Sequence, residues 1–178
     1  MDAMIDIEGL DLRPRSHILS IGAVVFDNTT IHDKLYIKVA SRGQQNRSVS
    51  ASTALWWIGQ ALANPVAASA IVGEHGTSLP DALRELSIFL HGHATQNVWA
   101  NGVDYDLVNL ETAYEETMQP VPWGYRDRSD FRTVRKLVNQ HGIPIDETQF
   151  EGAEHNALDD ALYQARYLIA ARKALGIV

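Results

Sequence analysis

Along the chain, the period of apolar and polar positions changes in a way that marks out its elements. The run from Ala3 to Ile7 predicts a strand, and within and just beyond it Asp6 and Glu8 stand on alternate positions. Side chains of a strand alternate between faces, so both carboxylates point the same way. After a polar turn around Arg13, Pro14 and Arg15 comes HILSIGAVVF, apolar and β-branched, which predicts a strand over Ile18 to Phe26. Asp27-Asn28-Thr29-Thr30 is a turn, and IHDKLYIKV alternates apolar with polar residues as a half-exposed third strand would. These three strands form a meander.

Beyond the polar loop SRGQQNRSVS the period lengthens to that of helices. STALWWIGQALA predicts a helix with Ser52 or Thr53 as N-cap, broken at Asn64-Pro65. SLPDALRELSIFLHG has Ser78 as N-cap, Pro80 in its first turn, a stripe of Leu83, Leu86, Phe89 and Leu90, and a stop at Gly92. NVWA is a short buried strand ending at Asn101-Gly102. A helix follows from Tyr105 to Thr117, with Leu107, Leu110 and Tyr114 at helical spacing. DRSDFRTVRKLVNQHG predicts another helix, and NALDDALYQARYLIAARKALG a long final one. Three strands followed by alternating helices and short strands predict an α/β layered structure, with a mixed central sheet and helices on both faces. No repeat, linker or low-complexity tract divides the chain, so residues 1–178 are expected to form one domain.

Composition narrows the class. At 178 residues, 46% hydrophobic and 21% charged, the chain is ordinary for a globular protein with a large core. No apolar run approaches a membrane span and no secretory leader is visible, so no membrane partner is expected. The absence of cysteine removes disulfides, thiolate-bound zinc and thiol nucleophiles, and fits a cytoplasmic location. A net charge of −7 argues against wholesale electrostatic capture of nucleic acid, while leaving room for local cations or bound metals.

Candidate chemistry lies in three acidic clusters at element edges. Beside Asp6 and Glu8, NGVDYDLVNL holds Asp104 and Asp106, and HNALDDA holds His155, Asp159 and Asp160. Asp104 suits a helix cap, whereas Asp106 is placed to face back toward the strand ends. Each cluster alone suits a structural role, since acids favour a first helical turn. Four carboxylates and one imidazole together suit two hard divalent cations, Mg²⁺ or Mn²⁺. Two such metals about 4 Å apart can clamp a phosphodiester, and a histidine of pKa about 6.5 can take a proton from water. Neither G-x-x-x-x-G-K-[ST] nor G-x-G-x-x-G occurs.

DIEG followed by ILSIGAVVFD, then NGVDYDLVNL, then HNALDDALYQA, resembles the three exonuclease motifs of the DEDDh family of 3′→5′ exonucleases, which have a ribonuclease H-like fold. The D-x-E motif falls on Asp6 and Glu8, the second motif's aspartate on Asp106, and the third motif's His-x-x-x-x-Asp on His155 and Asp160. STALWWIGQALANPVA and RDRSDFRTVRKL resemble segments of a narrower branch that holds phage-type 3′→5′ exonucleases and an actinobacterial adenylate-directed exoribonuclease. From Asn101 to Asp106 the spacing is one residue longer than in proofreading relatives, and Asn-Pro replaces the branch's Ser-Pro. The resemblance implies a two-metal exonuclease releasing nucleoside 5′-monophosphates from 3′ ends of single-stranded RNA or DNA. Asp6 would bridge the metals, Glu8 and Asp160 would hold the metal that activates water, Asp106 would anchor the second, and His155 would be the general base. Gly9, Leu10 and Tyr105 would bind the terminal nucleotide, with Leu10 as a base wedge. A homodimer is compatible with it, since many relatives pair.

Other positions divide between uses. Trp56 or Trp57 suits a base-stacking platform, though adjacent helical residues point about 100° apart and only one readily faces a site. Arg13, Arg15, Arg126, Arg128 and Arg132 suit phosphates or a solvated face. His91-Gly92-His93 suits a solvated helix end, and His17, His32, His75 and His141 carry no functional signal. Two competing readings are a non-catalytic nucleic-acid-binding module and a two-metal endonuclease of the same fold. The first should have lost a motif acid; the second lacks the His-x-x-x-x-Asp pair.

Overall fold

A computed structural model describes residues 1–63, 75–145, 152 and 154–177. Five strands, β1 (Asp2–Gly9), β2 (Ile18–Phe26), β3 (Ile31–Lys38), β4 (Asn97–Ala100) and β5 (Arg128–Asp130), form one sheet in the order β3-β2-β1-β4-β5. The β1–β2 and β2–β3 pairs are antiparallel, as a meander requires, and β1–β4 and β4–β5 are parallel. The described helices are α1 (Ala51–Ala63), α2 (Leu79–Gly92), α3 (Asp106–Glu116), α4 (Phe131–Gln140) and α5 (Ala157–Leu175). None of them is long and apolar enough to cross a membrane.

The period-two pattern of β1 sorts its side chains into two cores. Ala3, Ile5 and Ile7 pack with Leu83, Leu86 and Leu90 of α2 and Leu107, Leu110 and Tyr114 of α3. Met4, with Val24 and Phe26 of β2, packs on the other face with Phe131 and Val138 of α4 and Ala161, Ala165 and Leu168 of α5. The sheet is thus the middle of three layers, and β2, buried along its whole length, reads as the continuous apolar run it is. Asp6 and Glu8 extend the Met4 face toward the carboxyl end of β1.

Several boundaries differ from the expectation, each for a local reason. Residues 128–130, read as helical, form β5, and α4 starts after Asp130, whose carboxylate accepts from the Thr133 N–H and hydroxyl at 2.7 Å each. A three-residue strand is too short to show a period. Helix α1 starts at Ala51, ahead of the Ser52 and Thr53 expected to cap it, with the Ser50 carbonyl accepting from Ala54 N–H at 2.9 Å. Asp104 does not cap α3: Tyr105 holds that position and makes no side-chain cap hydrogen bond. His93, expected to be solvated, ties the end of α2 to β3 through Asp33 at 2.9 Å. The predicted Asn64-Pro65 break lies outside the described residues.

Helix α5 reaches the sheet through a glycine. Gly22 is the cross-strand partner of Asp6, and a Cβ on it would stand 2.2 Å from the carbonyl carbon of Ala157. The first turn of α5 therefore lies on bare backbone. Gly22→Ala should destabilise the protein by about 3 kcal/mol, because rigid backbone must move. Gly59→Ala, in α1 with open space around it, should stabilise by about 0.5–1 kcal/mol. Denaturant melts of both variants check this; equal, small effects would refute the close contact.

Candidate active site

The site lies where β1 and β4 end and where α3 and α5 begin, the crevice in which open α/β sheets gather ligands. From α3, the Asp106 carboxylate turns back to the sheet and accepts from Ile7 N–H at 3.2 Å and Gly102 N–H at 3.3 Å. It is 4% exposed, so those two donors replace water as its partners. At the start of α5, the Asn156 side chain caps Leu158 and Asp159, and Asp160 Oδ2 accepts from His155 N–H at 3.1 Å. That bond turns the chain sharply: His155 has φ +65°, a left-handed conformation uncommon for residues other than glycine. Ligand atoms of Glu8, His155 and Asp160 all lie within 4.8 Å of one another.

The five residues singled out from the motifs thus meet at one place, with Asp106 on the far side of Asp6. Burial raises the pKa of Asp6 well above the usual carboxylate range, and the charges of Asp106, Glu8 and Asp160 raise it further. Glu8 is pushed up to about 8, by burial first and then by Asp160 and Asp106. Burial lifts Asp106 to about 7 against its backbone donors and Arg132, and Asp160 to about 6 against the His155 N–H. Among the described residues the charges acting on Asp6 and Glu8 are all carboxylates, and what opposes them is a neutral donor, the Gln164 amide on Asp6. Hard oxygen donors with uncompensated charge, plus one imidazole, fit divalent cations.

The flanking cleft departs from expectation in detail. About 420 Å³ in volume, it is lined by Glu8, Gly9, Leu12, Trp56, Trp57 and Tyr105, with Ser52 and Thr53 at its edge. Leu12, 81% exposed, lines it too, and the Leu10 backbone is fixed by bonds of its N–H to the His17 carbonyl and of its carbonyl to the Ser50 N–H. Both tryptophans line it, not one. Trp57 is buried and donates its indole N–H to the Gly9 carbonyl at 3.0 Å, while Trp56 stays half exposed. A Cβ on Gly9 would come within 2.7 Å of the Tyr105 hydroxyl, which donates to the Asp11 carbonyl. Glycine is therefore needed for the cleft floor.

Several supporting residues carried no sequence signal. Gln164, 6% exposed, donates to Asp6 Oδ1 at 3.0 Å, and its own amide oxygen meets no hydrogen-bond partner among the described residues. Arg47 is buried and binds the Ser16 carbonyl, the Asn109 carbonyl and Glu116, while Asn109 binds Ser16 N–H and the Tyr105 carbonyl. Together they fix the 10–17 loop to α3. Helical spacing from Asp160 would have put Gln164 on its face. Arg47 lies in an irregular loop and could not be inferred. Of the candidate arginines, Arg15 pairs with Glu116 and Arg128 with Glu111, and Arg126 lies over Tyr125.

This fold, a mixed sheet between two layers of helices, is the ribonuclease H-like one and is shared with solved structures of 3′ exonucleases. The nuclease domain of 3′hExo, a DEDDh family member bound to rAMP, matches with a TM-score of 0.64 at 16% identity, over 98% of this chain and 91% of that one. A full-length 3′-exonuclease matches at 0.60 and 14% identity, covering 98% of this chain and 60% of that one. Exonuclease X in complex with 5′ overhanging duplex DNA matches at 0.55 and 15%, covering 99% and 93%. No curated protein matches the chain significantly. The family profile of the 3′-5′ exoribonuclease Rv2179c-like domain matches residues 1–171, and the chain belongs to that family of 3′-5′ exonucleases.

The raised pKa values set a pH dependence. A carboxyl whose pKa is higher folded than unfolded contributes stability that is complete below about pH 4 and is lost as pH rises through its folded value. Here that loss runs through about 6 to about 8. In EDTA the melting temperature should fall from about pH 5.5 to about pH 8.5. The decisive readout is the increment added by saturating Mn²⁺. That increment should grow with pH; a constant one would refute a cation site in the cluster.

Proposed function

We propose that the chain hydrolyses single-stranded RNA from its 3′ end, one nucleoside 5′-monophosphate at a time, with two divalent cations, Mg²⁺ or Mn²⁺, as cofactors. The observation that carries this reading is the convergence of Asp6, Glu8, Asp106, His155 and Asp160 beside a cleft walled by tryptophans. The family's description as exoribonuclease favours RNA over DNA.

Glu8 and Asp160 would hold one cation, Asp106 the other, and Asp6 both. Bound there, the cations supply Lewis acidity and charge that stabilise the pentacovalent transition state. Gln164 fixes Asp6 through a hydrogen bond to its Oδ1. An imidazole nitrogen of His155 accepts a proton from the attacking water, whose oxygen forms the new bond to phosphorus. The bond from phosphorus to the upstream 3′ oxygen breaks, leaving a fresh 3′-hydroxyl on the shortened strand. The terminal base packs into the cleft against Trp56, and the strand runs out on the far side of the 102–105 loop. A groove there is lined by Tyr125, Arg128, Arg132, Thr133 and Lys136. Arg132 and Lys136 are exposed, and no ion pair of either is found among the described residues.

Digestion of matched 5′-labelled RNA and DNA oligomers in Mg²⁺ should give a one-nucleotide ladder on RNA, and a 3′-phosphate should stall it. Asp6→Ala and Asp160→Ala should abolish release, and His155→Ala should slow it by at least about a hundredfold. Near-normal activity in any of the three would overturn the assignment, and cleavage of the 3′-phosphorylated strand would point to an endonuclease. Lys136→Gln should raise KM with kcat unchanged and should reduce the slope of log KM against log salt by about 0.7, whereas Arg132→Gln, which also removes a charge acting on Asp106, should lower kcat as well.

A further inference from the structure

Residue 155 is held in an unusual way. Its backbone stands at φ +65° and is fixed by one bond to Asp160, whereas its ring makes no hydrogen bond among the described residues. What meets the ring is indole. The Trp56 ring centroid lies 4.8 Å from that of His155 at 79°, and Trp57 lies 6.1 Å away at 83°, both edge-to-face. The two indoles in turn meet at 4.9 Å and 72°. Trp57 cannot move freely, being buried and bonded to Gly9, but Trp56 is 44% exposed. A half-exposed indole keeps rotamer freedom that burial removes.

Trp56 also lines the cleft beside Glu8, so one ring has two neighbours to serve. A base entering the cleft would cover its exposed side and immobilise it. Its other side is the support of His155. From this geometry, and resting on the exonuclease reading above, we propose that Trp56 is a positioning residue for His155: a base in the cleft fixes Trp56, and Trp56 fixes the imidazole against Glu8 and Asp160. The terminal base then governs the rate of hydrolysis as well as binding. A strand end lacking that base leaves His155 loosely held, so an empty cleft is a slow enzyme. The adjacent tryptophans divide the work: one is the fixed wall, the other the moving contact.

The test is a double cycle of Trp56→Ala against an RNA whose 3′-terminal residue is abasic. Each change alone should lower kcat roughly tenfold, the scale of one aromatic contact, and both together should lower it no further than one alone. Trp56→Phe, which can keep the edge contact, should restore most of kcat. Because the ring is half exposed, neither variant should unfold the protein, and a melt checks this. A second readout needs no turnover. In Mg²⁺, AMP should shift the His155 ring-proton resonance, assigned by its loss in His155→Ala, by ring current in wild type and Trp56→Phe but not in Trp56→Ala. A Trp56→Ala variant that raises KM with kcat intact, penalties that multiply, or an AMP shift unaffected by Trp56→Ala would each overturn the proposal. If wild type releases no mononucleotide, the exonuclease reading itself fails, and the resonance still decides whether Trp56 holds His155.

Discussion

The backbone of Ala157 rests on Gly22 with no side chain between them, and the acid cluster exists because of that contact. Asp6 and Glu8 belong to the sheet, and Asp160 and His155 to the start of α5. Only a helix that approaches the sheet at backbone distance can bring the two sets together. The rest of α5 is built to hold it there. Ala161, Ala165 and Ala171 keep its inner face low, and Leu168 packs with Met4, Val24 and Phe26. Asn156 caps one end, and Gly176, at φ +69°, closes the other. Arg172 reaches back to Asp2 at the opposite end of β1. Apolar packing along four turns offsets repulsion confined to the first.

Polar groups behind the cluster show the same division. Arg47, Asn109 and Ser16 satisfy one another in full and make the 10–17 loop and α3 a rigid unit, which fixes Asp106 and Tyr105. Gln164 is only half satisfied among the described residues, with its amide group bound to Asp6 and its oxygen unpaired. Complete networks rigidify, and incomplete ones sit where function requires it. The incomplete one here touches the residue at the centre of the four carboxylates.

Much of this was legible in sequence because period and spacing are local signals. The alternation around Asp6 and Glu8, the apolar run of β2, and the four residues between His155 and Asp160 each survive folding unchanged. Failures came where the signal is short or distant. Strand β5 is three residues long and is defined by its neighbour β4, not by its own pattern. Asp104 has the composition of a cap, yet the buried Asp106 takes the nearby Gly102 N–H and leaves Tyr105 at the cap position. Gly22 is an ordinary small residue inside an apolar strand until α5 is laid on it. Leu12 lines the cleft from the irregular segment after β1, where no period marks which side chain turns inward. The contact of Gln164 with Asp6 spans 158 positions, and only the four-residue spacing of Gln164 from Asp160 along one helix points to it in sequence.

Glu8 is where the two halves of the site become one. It stands in the triad with His155 and Asp160, and it also lines the tryptophan cleft. On the proposed reading, a change at Glu8 would disturb binding and hydrolysis together and could not apportion them. Residues one contact further out can. Leu12 meets the cleft without meeting the acids, Gln164 meets Asp6 without lining the cleft, and Trp56 meets both the cleft and His155. The register shift after Glu8, which leaves Leu19 of β2 without a cross-strand partner, marks the change of use along one short strand: on one face Asp6 and Glu8 meet the other acids, and at Gly9 the backbone carbonyl accepts from Trp57 at the wall of the cleft. The D-x-E spacing thus marks more than two like charges on one face, because it ends where the last paired residue of the strand meets the cleft.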